Sequence, residues 1–201
     1  MPNPDFFARL GLLTIKGFLD DELCIRLLSE ADSNRGVPAT IRQGSATTLD
    51  ESVRQTMRVK VTALSKSLVK TRLLALRPRL ESHFQIALKG IEGPQFLVYT
   101  VGSFYKQHQD STTEPGTLEY AEARKVSVVV FLNNESDEPK PNCYGGGSLR
   151  LYGIMSDPPW EKCGFPLIGE KGLLIAFRSD VIHEVTPVTH GTRYAAVNWF
   201  S

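Results

Sequence analysis

Hydrophobic positions recur at helical spacing through the first part of the chain and at strand spacing through the second, with the change falling near Gln95. Asp20-Asp21-Glu22 supplies an N-cap and an acidic first turn for a helix with an apolar face of Cys24, Leu27, Leu28 and Ala31, ending near Asn34-Arg35-Gly36. A polar stretch from Gln43 to Ser52 leads to a short strand over Met57 to Val61. Leu64, Leu68, Leu76, Leu80 and Phe84 then repeat at helical spacing. Pro78 has no amide proton to donate, so it must start a second helix there or kink the first.

From Gln95 onward, short runs of β-branched and aromatic residues are divided by Gly, Pro, Asn and Asp. The predicted strands are Phe96 to Thr100, Tyr105 to Gln109, Lys125 to Leu132, Ser148 to Tyr152, Leu173 to Phe177, His183 to Pro187 and Arg193 to Phe200. Val126 to Leu132 is nearly all apolar, as a strand covered on both faces would be. Helices followed by many short strands predict an α+β chain with a β-sandwich or jelly-roll core and the N-terminal helices packed against one sheet. Three segments are long and rich in loop residues: Ser111 to Arg124, Asn133 to Tyr144 and Ile154 to Pro166. Each fits either a lid or substrate wall or a solvated hairpin tip.

With 201 residues, 41% of them hydrophobic, the chain can bury one substantial core, and one domain is expected over 1–201, helical over about 1–90 and jelly-roll over about 91–201. The net charge is +1 with scattered Lys and Arg, which gives no electrostatic footprint for nucleic acid or an anionic membrane. No signal peptide or spanning helix is read, and three separated cysteines, Cys24, Cys143 and Cys163, suggest neither a disulfide framework nor a zinc knuckle. A cytoplasmic protein with a small-molecule or protein partner is expected, and oligomeric state is left open. Cys24 falls on the apolar helix face as a packing residue, while Cys143 and Cys163 sit in loop-like sequence.

Three elements carry the chemistry. His108 and Asp110 lie two apart in Tyr105-Lys106-Gln107-His108-Gln109-Asp110, so on a strand they face one side and can reach one ion together. A lone pair of this kind also fits a surface His beside an Asp that caps the next loop. His183, in Asp180-Val181-Ile182-His183-Glu184-Val185-Thr186-Pro187, is flanked by apolar residues and alone reads equally as a core histidine. Together the three make two imidazoles and one carboxylate, the facial set that suits non-haem Fe(II) and leaves one face of the metal open. Geometry alone admits Mn, Ni, Co or Zn as well. Arg193 shares a strand face with Ala195, Val197 and Trp199, which places a permanent charge among small and apolar side chains. Either it reaches a surface acid, or it holds a ligand carboxylate in a two-pronged pair. His190, in the turn Thr189-His190-Gly191, and His83, on the Pro78 helix, are expected at the surface.

In sequence order, Tyr99, His108-x-Asp110, Gly145-Gly146-Gly147-Ser148-Leu149 leading into a strand, His183-Glu184-Val185-x-Pro187 and Arg193-Tyr194-Ala195 resemble the prolyl 4-hydroxylase-like branch of the Fe(II)/2-oxoglutarate dioxygenases. The resemblance runs from Phe18-Leu19-Asp20 to Phe200. It implies a double-stranded β-helix with iron on His108, Asp110 and His183. It also implies 2-oxoglutarate held by Arg193 with a hydrogen bond from Tyr99, and a pocket lined by Leu149, Val185, Ala195 and Trp199. Where some relatives carry a second tyrosine, this chain has Phe131, which cannot donate a hydrogen bond. The implied reaction consumes Fe(II)-bound 2-oxoglutarate and O2 and hydroxylates a C–H bond, with succinate and carbon dioxide as coproducts. A prolyl residue of a peptide or protein is the first substrate class implied, and a free amino acid or small metabolite is the second. A non-catalytic 2-oxoglutarate or metal sensor, or a jelly-roll enzyme using another divalent ion without 2-oxoglutarate, are the alternatives of other classes.

Overall fold

The computed structural model describes residues 4–34, 36–43, 46–111, 124–155 and 163–201. Among these residues three helices lie in the first half: α1 (Pro4–Arg9), α2 (Asp21–Asp32) and α3 (Ala63–Phe84). The α2 helix begins as expected, with the Asp20 carboxylate accepting from the Leu23 amide at 2.8 Å, and it buries Leu23, Cys24, Leu27 and Ala31. Burial pushes the Cys24 thiol up to about 11, so it packs as an apolar group.

The α3 helix runs unbroken through Pro78, so no second helix begins there. Pro78 is on the exposed side of α3, where water can meet the carbonyl it leaves unpaired. The buried face of α3 is Ser65, Val69, Leu73, Leu76 and Leu80, while Leu64 and Leu68 of the predicted face are exposed. Leucine occurs on both sides of this helix, and polar contacts decide which side turns inward. Glu30 of α2 accepts from Ser65 Oγ at 2.7 Å and from the Thr62 amide at 2.7 Å, which pins the first turn of α3 against α2.

The strands are β1 (Leu13–Ile15), β2 (Val37–Pro38), β3 (Ile41–Gln43), β4 (Ala46–Thr48), β5 (Arg54–Gln55), β6 (Met57–Val59), β7 (Gln95–Tyr99), β8 (Phe104–His108), β9 (Val126–Phe131), β10 (Asn134–Glu135), β11 (Cys143–Gly146), β12 (Leu149–Leu151), β13 (Phe165–Leu167), β14 (Leu174–Arg178), β15 (His183–Val185), β16 (Val188–Gly191) and β17 (Arg193–Phe200). One sheet has seven strands in the order β1-β14-β9-β17-β7-β6-β2, and a second has five in the order β13-β12-β15-β8-β5. All eight strands predicted from the sequence are present, the short one over Met57 to Val61 as β6. The first ninety residues are less helical than expected, because β1 and β2 join the expected β6 in the long sheet and β5 extends the short one. Strands of two or three residues are too short to show alternation.

Alternate residues of the long sheet separate two apolar layers. Val126, Val128, Val130, Leu174, Ala176, Ala196 and Phe200 pack with Leu27, Val69, Leu73 and Leu80 of the helices. Val129, Phe131, Ile175, Phe177 and Ala195 point the other way and meet Leu149, Leu151 and Leu167 of the five-stranded sheet. This is a double-stranded β-helix with helices on the outer face of one sheet. Among the described residues no helix is long and apolar enough to cross a membrane.

Of the three long segments, Asn133 to Tyr144 is not simply a loop: it contains β10 and the start of β11, so Cys143 opens a strand. The Glu135 carboxylate ties the region down, accepting from Ser148 Oγ at 2.6 Å and from the Gly169 amide at 3.0 Å. Residues 112–123 and 156–162, the bulk of the other two segments, lie outside the described residues, and with them the proposed lid. His190 sits on β16 rather than in a turn, half-buried, its ring so close over Gly145 that a Cβ there would fall 2.0 Å from it. His83 is also half-buried and meets Phe84 edge-on.

Candidate functional site

His108 closes β8 and His183 opens β15, and antiparallel pairing sets the two directly opposite each other, with ring centroids 4.1 Å apart. Asp110 follows just past β8, where its own amide and that of Ser111 both donate to the Ser179 carbonyl at 3.0 Å. Asp110 Oδ1 is then 3.8 Å from His108 Nε2, and Oδ2 is 3.5 Å from His183 Nε2. One donor atom from each residue lies within 4.8 Å of the others, a spacing too long for charge-assisted hydrogen bonds and suited to a shared ion.

The surroundings fix the chemical state of these groups. Nδ1 of His108 is 2.8 Å from the Lys106 carbonyl oxygen, and Nδ1 of His183 is 3.0 Å from that of Val181. A carbonyl can only accept, so each Nδ1 holds the proton and each Nε2 keeps a lone pair for a metal. Burial first, then the charge of His183, holds His108 below the usual imidazole range against the pull of Asp110. Burial pushes the Asp110 carboxyl up. The charges of His183 and His108 outweigh that push, helped by hydrogen bonds from Ser127 and Trp199, and the group stays below the usual carboxylate range. Ser127 Oγ donates to Asp110 Oδ2 at 2.6 Å, and Ser179 Oγ is 2.9 Å from Ser127 Oγ. The Tyr105 ring stacks on His108 at 3.5 Å.

Arg193 opens β17 directly opposite Tyr99 on β7. Its guanidinium carbon lies 4.9 Å from the centre of the Tyr99 ring, 5.2 Å from Phe131 and 6.0 Å from Tyr144. The side chain is 1% exposed, and its Nε is buried without a hydrogen-bond partner, as is the Tyr144 hydroxyl. Burial pushes that phenol up to about 12, against the lowering effect of Arg193 beside it. Gly147 makes the packing workable: at a φ of +58°, a Cβ would meet Arg193 Cδ at 3.0 Å. A buried cation faced by aromatic rings, with no carboxylate of the described residues against it, is the complement of an anionic ligand. A diacid that chelates a metal at one end fits this donor set.

His108, Asp110, His183, Arg193 and Tyr99 all line one cavity of about 690 Å³ between the sheets, as do Leu149, Val185 and Trp199. Ala195 and Phe131 do not reach its wall. Both are fully buried in the apolar layer between the sheets, Phe131 against the guanidinium. Three contributors were not singled out in the sequence. Ser127 is the one polar residue in an otherwise apolar strand, at an inward position, and that was its signal. Tyr144 stands before three glycines that bring β11 and β16 close, a context visible only with the partner strand in place. Arg124, whose guanidinium lies 3.9 Å over the Trp199 ring and pairs with Glu92, belongs to a segment read as loop.

A model of the 2OG-Fe(II) oxygenase superfamily matches residues 94–201. A PKHD-type hydroxylase of Picosynechococcus sp. is 30% identical over 155 residues, covering 77% of this chain and 54% of that protein. One of Nitrobacter winogradskyi is 30% identical over 122 residues, covering 59% and 48%. The chain spans about half the length of the curated relatives it matches. Among solved structures, a Pseudomonas putida prolyl-4-hydroxylase superposes with a TM-score of 0.70 at 23% identity, covering 98% of this chain and 95% of that one. A Trichoplax adhaerens prolyl hydroxylase, solved with a hypoxia inducible factor peptide fragment, gives 0.69 at 19% identity, covering 98% and 88%. At these identities the likeness is one of fold. With the matched segment spanning more than half of its length, the chain belongs to the 2OG-Fe(II) oxygenase superfamily, whose chemistry uses Fe(II), 2-oxoglutarate and O2.

Proposed function

We propose that this protein is a 2-oxoglutarate-dependent dioxygenase, acting as one domain, that hydroxylates a C–H bond of a prolyl residue in a peptide or protein. The observation that carries the chemistry is one cavity holding two imidazoles and a carboxylate at metal-ligand spacing, together with a buried guanidinium whose Nε has no partner. The prolyl part rests on the fold shared with prolyl hydroxylases and on the PKHD-type hydroxylase relatives.

His108, Asp110 and His183 would hold iron through Nε2, a carboxylate oxygen and Nε2, with Lys106, Val181 and Ser127 orienting them. Bound iron with 2-oxoglutarate supplies oxygen activation, coupled to oxidative decarboxylation of the cosubstrate. Arg193 would grip the distal carboxylate and Tyr99 would add a hydrogen bond. The buried Tyr144 hydroxyl stands beside that guanidinium and would supply the phenol that Phe131 cannot. Leu149, Val185 and Trp199 would keep the reacting centre dry. No side-chain general base is required, and the two imidazoles are committed as ligands.

The test is to load the protein with Fe(II) and 2-oxoglutarate under argon, admit oxygen in the presence of proline-containing peptides, and follow succinate and peptide mass. Succinate formed with one oxygen gained on a prolyl residue is expected. Oxygen gained only by free amino acids would move the substrate to a metabolite. Tight 2-oxoglutarate binding without succinate would make the protein a sensor.

A further inference from the structure

Once the site is loaded as proposed above, its charges nearly cancel. The metal is balanced by Asp110 and the chelating end of 2-oxoglutarate, Arg193 by the distal end, and Arg124 by Glu92. Among the described residues, two cations lining the same cavity remain, Arg54 at β5 and Arg58 on β6.

Among the described residues neither arginine meets an acid. Arg54 NH1 donates to the Thr40 carbonyl at 3.1 Å, its guanidinium carbon lies 4.5 Å from the centre of the Tyr105 ring, and its Nε is buried without a partner. Asp50, a nearby acid in sequence, is turned away, its Oδ1 accepting from the Ser52 amide at 2.9 Å and from Ser52 Oγ at 2.6 Å. Arg58 is exposed on the cavity side. The Tyr105 ring that carries Arg54 is the one stacked on His108 at 3.5 Å, so a single aromatic side chain separates this guanidinium from a metal-ligand candidate. A half-buried guanidinium held by a backbone carbonyl and an aromatic ring has lost most of its rotamer freedom, so it can grip a planar carboxylate without a large ordering cost.

We propose that Arg54, assisted by Arg58, is a carboxylate-binding subsite for the substrate, so that the molecule hydroxylated carries a carboxylate close to its reacting C–H bond. This rests on the dioxygenase reading of the site. Two sources share the chemistry: an Asp or Glu side chain near the target residue of a peptide, and the free carboxylate of an amino acid or chain end.

The test is anaerobic calorimetry on the protein loaded with Mn(II) and 2-oxoglutarate. Two pairs of probes serve: acetylated proline tripeptides bearing Asp or Asn next to proline, and L-proline against L-prolinamide. The acid of one pair should bind roughly three- to thirtyfold tighter than its amide, the range for a charge pair of partial exposure, and which pair responds identifies the source. Arg54→Gln should erase that preference and Arg54→Lys should restore part of it. Arg58→Gln, at an exposed position that does not threaten the fold, should reduce it by a smaller factor. Equal affinity for acid and amide in both pairs, a preference that survives Arg54→Gln, or no binding of any probe would overturn the subsite. The wild-type 2-oxoglutarate titration that precedes the probes separates this failure from failure of the dioxygenase reading, which would show as no cosubstrate binding.

Discussion

The two faces of the seven-stranded sheet are made from the same strands and bury different chemistry, a neutral apolar layer on one side and a permanent charge on the other. On the helix side, Val126, Val128, Val130, Ala196 and Phe200 meet helical leucines, and polar groups there find protein partners, as Ser65 does with Glu30 and the Tyr194 hydroxyl with Asp32, the buried Asn198 Oδ1 being an exception. On the cavity side, the intervening residues include Ser127 and Arg193, and the guanidinium Nε is left for something other than protein. Among the described residues the buried guanidinium lies on the cavity face, which is complete only with ligands. Stability and function are therefore divided by residue parity along β9 and β17.

Substitutions should expose that division. His108→Ala, Asp110→Ala or His183→Ala should abolish turnover and weaken metal binding by more than about 100-fold, with the loss of a direct ligand exceeding that of a supporting group. Anaerobic metal titration checks this, and metal affinity kept near wild type in any of the three would remove that residue from the site. On the other face, Leu80→Ala should cost about 2–5 kcal/mol in chemical denaturation. Cosubstrate affinity of the folded protein should stay unchanged, because Leu80 is fully buried against the helices and away from the cavity.

That parity was largely legible in the sequence. The alternation in Arg193-Tyr194-Ala195-Ala196-Val197-Asn198-Trp199-Phe200 assigned Arg193 and Trp199 inward, and the spacing of His108 and Asp110 assigned both to one side. What stayed hidden depends on partners remote in the chain. Leu64 and Leu68 look as apolar as Leu73 and Leu76, and the buried row of α3 goes with partners remote in the chain, Glu30 on Ser65 and Asp20 on Arg72 among them. Tyr144 and Arg54 reach the site through strands too short to carry a period. Ala195 and Phe131 face inward as expected, but the apolar layer closes over them before the cavity begins.

A smaller effect sharpens the cavity side. Tyr144→Phe should weaken 2-oxoglutarate binding about two- to tenfold, the worth of one neutral hydrogen bond, and leave metal affinity unchanged. No change would confine Tyr144 to packing.

The gentlest probe of the comparison is alkaline titration. Burial raises the phenols of Tyr105 and Tyr144 to about 12 from 10.0, and Tyr194 is raised as well by burial and Asp32. A raised folded-state value favours the protonated form, so this stability is fully present below pH 10.0 and is lost as pH climbs toward about 12. Tyrosinate absorbance should develop late, together with unfolding, for these residues. Ionisation of all six tyrosines near pH 10 in the folded protein would contradict their burial.

The central claim is that the buried cation of the inner face is completed by 2-oxoglutarate, and anaerobic 2-oxoglutarate affinity in wild type, Arg193→Ala and Arg193→Lys tests it most directly. Arg193→Ala should weaken binding roughly tenfold to a few thousandfold, the cost of truncating one partner of a buried charge pair. Metal affinity should hold, and Arg193→Lys should recover only part of the loss because an ammonium keeps the charge without the planar fork. Unchanged 2-oxoglutarate affinity in Arg193→Ala would contradict the account.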